Sequence, residues 1–142
     1  ALGPLIAAAG GMAVTIHRAF DVTPDPRAAL EDCVALGVAR IMTAGHAPTA
    51  AEGTAGLRAL VDAARGRVAI MAGGGVSAGN AAALMAAGVN ALHASCSAMR
   101  PVAGPLGALR IAPERMATDP AAIRALIKAV REAEPAGDQS PR

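Results

Sequence analysis

Four short apolar runs recur along this chain at nearly equal intervals, and that recurrence limits the fold more than any other feature. They are residues 12–19 (MAVTIHRA), 39–45 (ARIMTAG), 68–75 (VAIMAGGG) and 91–97 (ALHASCS). Each has the length of a strand and ends in glycine, a polar residue or a turn. The starts at 12, 39, 68 and 91 give units of 27, 29 and 23 residues. That spacing fits right-handed βαβ crossovers and a parallel sheet.

The segments between the runs have helical periodicity. In 26–36, Ala29, Leu30, Cys33 and Val34 share one face; in 50–64, Leu57, Leu60, Val61 and Ala64 do so. Further helices are expected at 77–87 and 119–132. Thr23-Pro24 and Asp25-Pro26 place a capping residue before a proline suited to the first turn. Ser77, and Thr118 or Asp119, are the expected caps of the later helices. Gly37, Gly66 and Gly88 follow the helix ends, where a left-handed conformation closes a helix at low cost. Residues 1–9 resemble the end of a preceding helix. The stretch 98–118, rich in Pro and Gly, is read as irregular, and 134–142 as a polar tail.

Four consecutive βα units suit either half of an eight-stranded (β/α) barrel or most of a small doubly wound sheet. Thr15, His17, Thr43, His93 and Ser95 interrupt the strands. In a barrel such residues can point inward near the C-terminal mouth, which favours the barrel. The expectation is an α/β fold of the TIM (β/α)8 barrel class, a partial barrel over 1–133.

Composition removes several functions. Among 142 residues there is one aromatic, Phe20, and the net charge is +2. Nucleobase stacking is therefore excluded, and no Lys/Arg cluster marks a nucleic-acid or anionic-membrane surface. The apolar content of 54% argues against disorder. No apolar run reaches the roughly 18 residues of a membrane span. Two distant cysteines make no disulfide framework, and the start ALGPLI lacks the basic region of a signal peptide. These points lead to an expectation of a soluble protein of a reducing compartment. The apolar start without Met suggests the C-terminal piece of a longer chain.

Candidate site residues cluster at the ends of the runs. His17, Arg18 and Asp21 could form a cluster in which Arg18 clamps an anion, Asp21 fixes His17 and His17 acts as acid or base. Alternatively Arg18 and Asp21 are a structural ion pair. Thr43 and Gly45 close the second run. Gly73 to Gly75 could cradle an anion before the helix opened by Ser77, with Asn80 beside it, although any sharp βα turn needs such glycines. His93 and Ser95 share one face of the last run, with Cys96 on the other, packed and inert. Cys33, Met42, Met71 and Met85 read as core residues, and His46 as solvated. No C-x-x-C or M-x-x-M pair is present, so nothing in the spacing indicates a soft-metal site.

The run Ile16-His17-Arg18-Ala19-Phe20-Asp21 resembles the FHRAFD signature of the CutC family. LGVARIMTAG (36–45), IMAGGGV (70–76) and ALHASCS (91–97) resemble that family's later strands, in order and at the expected spacing. Ile16 stands for the family's Phe, and Ala44 for its Ser. The resemblance implies a cytoplasmic (β/α)8 barrel of roughly 200 to 250 residues, of which this chain is the last four units. It also implies a role in copper homeostasis and Cu(I) as a ligand, without an assigned reaction. The cysteines proposed for Cu(I) in some members belong to the missing half. The expected partners are a copper ion or a small anionic ligand at the mouth, and a second copy through the open edges. The rival readings are a phosphate-binding barrel isomerase, synthase or lyase, and, last, a receiver-like doubly wound module.

Overall fold

The structure is a computed structural model that describes residues 2–134. Apart from Glu134, the tail expected at 134–142 lies outside the described residues. The chain runs α1 (Gly3–Ala8), β1 (Thr15–Ile16), a 3-10 turn (Arg18–Val22), α2 (Pro26–Ala35), β2 (Arg40–Thr43), α3 (Thr54–Ala64), β3 (Ala69–Gly73), α4 (Ala81–Ala86) and β4 (Ala91–His93). There follow β5 (Ser97–Pro101), α5 (Pro105–Ala108), β6 (Glu114–Thr118) and α6 (Pro120–Ala133).

The first four strands form one parallel sheet in the order β1-β2-β3-β4. Every crossover therefore joins neighbours through a helix, which places the helices on one face. The architecture is a partial TIM-type barrel. Ile16, Ile41 and Ile70 stand side by side across three strands, as do Thr43, Ala72 and Leu92. Ile41, Thr43, Ile70 and Ala72 are fully buried with Leu30, Leu57 and Leu84 of the helices. The opposite face presents Met42, Met71 and Ala91 in one row and Gly73 beside His93 in the next. No helix among the described residues covers it, and His93 is exposed.

Local chemistry explains the helix starts. The Asp25 carboxylate accepts from the Arg27 and Ala28 amides, and Asp119 accepts from Ala121, each with proline in the first turn. Gly37, Gly66 and Gly88 take positive φ after α2, α3 and α4. Four expectations are corrected. Run 12–19 contributes only two strand residues, because His17 turns out of the strand and caps the 3-10 turn. Ser77 does not cap α4; the Asn80 side chain instead accepts from the Ser77 amide and donates to the Gly75 carbonyl, both at 2.9 Å. Run 91–97 breaks after His93, since Cys96 lies at φ 45 and its carbonyl accepts from Asp119. The stretch 98–118 is not irregular: β5 and β6 pair as an antiparallel hairpin, Ser97 opposite Thr118.

Candidate functional site

Asp21 is the hub of the strand-end loops. Its side chain is only 7% exposed. It accepts from the Thr43 hydroxyl, from the Ala44 amide at 2.9 Å, from the His46 amide at 3.3 Å and from Arg18 Nε at 2.8 Å. Burial pushes its carboxyl up, but the bonds from Thr43, Arg18, Ala44 and His46 outweigh that and hold it below the ordinary 3.8. The carboxylate is thus charged and fully occupied.

Arg18 reaches outward from the same turn. Nη2 donates to the Ala47 carbonyl at 2.9 Å and Nη1 to Pro48 at 3.3 Å. All three guanidinium nitrogens are engaged, and the group lies against Gly74, where a side-chain carbon would meet Nη1 at 2.6 Å. The Ala50 amide donates to the Gly74 carbonyl at 2.8 Å. One ion pair therefore braces the loops after β1, β2 and β3 to one another. The Arg18–Asp21 ion pair forms such a brace.

Thr43 does not point to the mouth interior. It lies on the helix side, fully buried on the same strand face as Ile41, where Asp21 folds back to accept from its hydroxyl. The Gly45 amide donates to Thr43 Oγ1 at 2.9 Å. Gly45, Gly53 and Gly56 make a backbone-to-backbone contact: a carbon added at Gly53 would lie 1.7 Å from the Ala44 carbonyl oxygen. Gly53 and Gly56 escaped the sequence reading. So did the Thr49-x-x-Glu52 box, whose side chains bond at 2.6 Å as the chain turns toward α3.

The remaining candidates make short-range contacts. His17 is exposed and its Nδ1 accepts from the Ala19 amide. Ser95 bonds the Ser97 hydroxyl at 2.9 Å. His93 stands beside Gly73 at the strand ends. His46 is not solvated: its ring packs edge-on against Phe20 at 5.4 Å and its Nε2 is buried with no partner among the described residues. Cys33 is buried in the core, where burial pushes its thiol up. Cys96 is half-buried, and both cysteines are free. Met42 and Met71 are not between sheet and helices but on the uncovered face. Among the described residues no three His, Cys, Asp or Glu side chains group as metal ligands. A cavity of about 350 Å³ lined by Arg27, Glu31, Ala63, Arg65 and Arg67 opens on the helix layer, not at the strand ends.

Comparison with known proteins gives a consistent result. Residues 1–98 match the CutC family. A family protein CutC of Xylella fastidiosa is 51% identical over 92 residues, covering 64% of this chain and 34% of the relative. One from Caulobacter vibrioides is 44% identical over 135 residues, covering 92% and 55%. The "Putative Copper Homeostasis Protein CutC" from Streptococcus agalactiae superposes with a TM-score of 0.61 at 35% identity, over 65% of this chain and 46% of that one. The chain spans about a third to a half of the length of these proteins. No helix among the described residues is long and apolar enough to cross a membrane. With residues 1–98, more than half of the chain, matching the family as a whole, this chain belongs to the CutC family.

Proposed function

We propose that this chain acts in copper homeostasis in the cytoplasm, as the C-terminal half of a barrel that binds copper. The observation that carries the reading is the sheet itself. Four parallel strands in sequence order, with helices on one face only, present the other face as a lining. A CutC-type barrel turns that face inward, out of bulk water. The braced loops support the mouth: Asp21 and Arg18 tie the loops at the strand ends together. Copper suits the donor types on the lining, which are thioethers and an imidazole, better than it suits the carboxylate hub. The test is equilibrium dialysis of the chain against Cu(I) under reducing, anaerobic conditions. About one bound equivalent supports the reading, and no binding refutes it.

A second reading, a phosphate-binding barrel enzyme, is favoured by one observation. Gly74 and Gly75 take φ values of 103 and 73 at the end of β3, beside the Arg18 guanidinium. Successive amides in such a turn form a concavity for anions. Inorganic phosphate that shifts the Gly74 and Gly75 amides in NMR, with Cu(I) causing no shift anywhere, would favour it. Arg18→Ala would then weaken phosphate binding by roughly 1.5–3 kcal/mol, the scale of a charge-assisted bond.

A further inference from the structure

The uncovered face carries a set of donors that the loop network does not use. Met42 and Met71 are register partners on adjacent strands, where paired backbones lie about 4.8 Å apart. Gly73, two residues beyond Met71, is the register partner of His93. Residues two apart on a strand share a face, so all three side chains belong to the same surface. Gly73 joins them. A carbon added there would lie 2.7 Å from Met42 Cγ, 3.0 Å from Met42 Sδ and 3.8 Å from His93 Cβ. The Met42 thioether therefore crosses over Gly73 toward His93, in space that any side chain at 73 would fill. Met42 and Met71 are half-buried and His93 is exposed.

Thioether sulfur is a soft, uncharged ligand that selects Cu(I) over harder divalent ions, and imidazole is compatible with the same ion. Cysteine is not needed for such a site: Cys33 is sealed in the core on the helix side. We propose that Met42, Met71 and His93 would together hold one Cu(I) ion through two thioethers and an imidazole, with Gly73 as the gap that lets the Met42 sulfur reach it. The site rests on the copper reading above and names its donors. Binding moves no electrons, and its one acid–base requirement is a neutral imidazole.

The test uses the full 142-residue chain carrying ¹³C-methyl methionine, titrated anaerobically with Cu(I) against a chromophoric Cu(I) chelator. Ag(I) serves as a redox-inert soft probe. The expected result is one equivalent bound, with the methyl signals of Met42 and Met71 shifting among the six methionines and Zn(II) failing to compete. Met42→Leu, Met71→Leu and His93→Gln should each lower the Cu(I) affinity about ten- to a hundredfold or more. Gly73→Ala removes no donor, yet should lower it too, by displacing the Met42 sulfur. Met→Leu preserves side-chain volume, so unchanged circular dichroism will show that the fold persists. Cys33→Ser and Cys96→Ser should leave the affinity unchanged. Cu(I) binding that survives Met42→Leu, or that a cysteine substitution abolishes, overturns the site but keeps the copper reading. An absence of any Cu(I) binding overturns both.

Discussion

The two faces of the parallel sheet obey different rules. On the helix face, Ile41, Thr43, Ile70 and Ala72 are fully buried, and the one polar group among them, the Thr43 hydroxyl, is bonded to Asp21. On the other face, Met42 and Met71 are half-buried, Thr15 and His93 are exposed, and the rows are filled by Arg40, Ala69 and Ala91. The first face is a packed core. The second is built from long flexible side chains, small residues and one imidazole, which suits a lining better than a core. Parallel sheets are ordinarily covered on both faces, and here the described residues cover only one.

The comparison breaks most sharply by truncation on the covered face. Ile41→Ala or Ile70→Ala should cost roughly 4 kcal/mol, measured by urea denaturation, because both side chains are removed from closed packing. Met71→Leu on the open face should stay below about 1 kcal/mol. Equal losses on the two faces would erase the distinction.

The Asp21 hub should come next. Asp21→Asn keeps the shape but loses the charge facing Arg18, at a cost of about 2–3 kcal/mol at neutral pH. The native carboxyl titrates below 3.8, while the unfolded one titrates near it. The unfolded state therefore binds more protons across that window. Stability from Asp21 is present in full above it and is lost as pH falls through the folded value. Acid unfolding curves should show this limb in the native chain and a flatter one in Asp21→Asn. Identical limbs would show that the hub is not charged.

A smaller effect concerns the edges at β1 and β4, which are unpaired among the described residues. Sedimentation should show association that grows with concentration, since open edges and an uncovered face favour it. A monomer that melts cooperatively would mean that the open face needs no cover. The smallest effect is on the helix surface. Arg67 grips Glu31 with two bonds of 2.7 Å, but both groups are well exposed. Glu31→Gln should leave the melting midpoint unchanged, because solvent and salt screen such pairs.

The order of the elements was legible in the sequence because each unit repeats its own punctuation. Asp25 and Asp119 before proline, and Gly37, Gly66 and Gly88 after the helices, mark boundaries by local chemistry. What was not legible depends on contacts across the chain. Thr43 shares strand parity with Ile41, which places it on the helix side. Its partner Asp21 is 22 residues away, and nothing near Thr43 announces it. The β5–β6 hairpin was hidden for another reason. Its residues are mostly exposed, with Met99 at 52% and Met116 at 60%, so no alternation of buried and solvated positions marks it. The grouping of Met42 and Met71 with the candidate His93 on the open face was not legible, because the three lie on three strands and are brought together by register alone.

In the parallel sheet, the pairing of each later strand with its immediate predecessor also sets how this chain reaches its fold. No strand waits for a distant partner, so the entropy of loop closure is met one βα unit at a time. As each unit leaves the ribosome, its strand finds an edge already formed and its helix a core already started. The sheet can thus be assembled by stepwise addition rather than by a single search over all four strands.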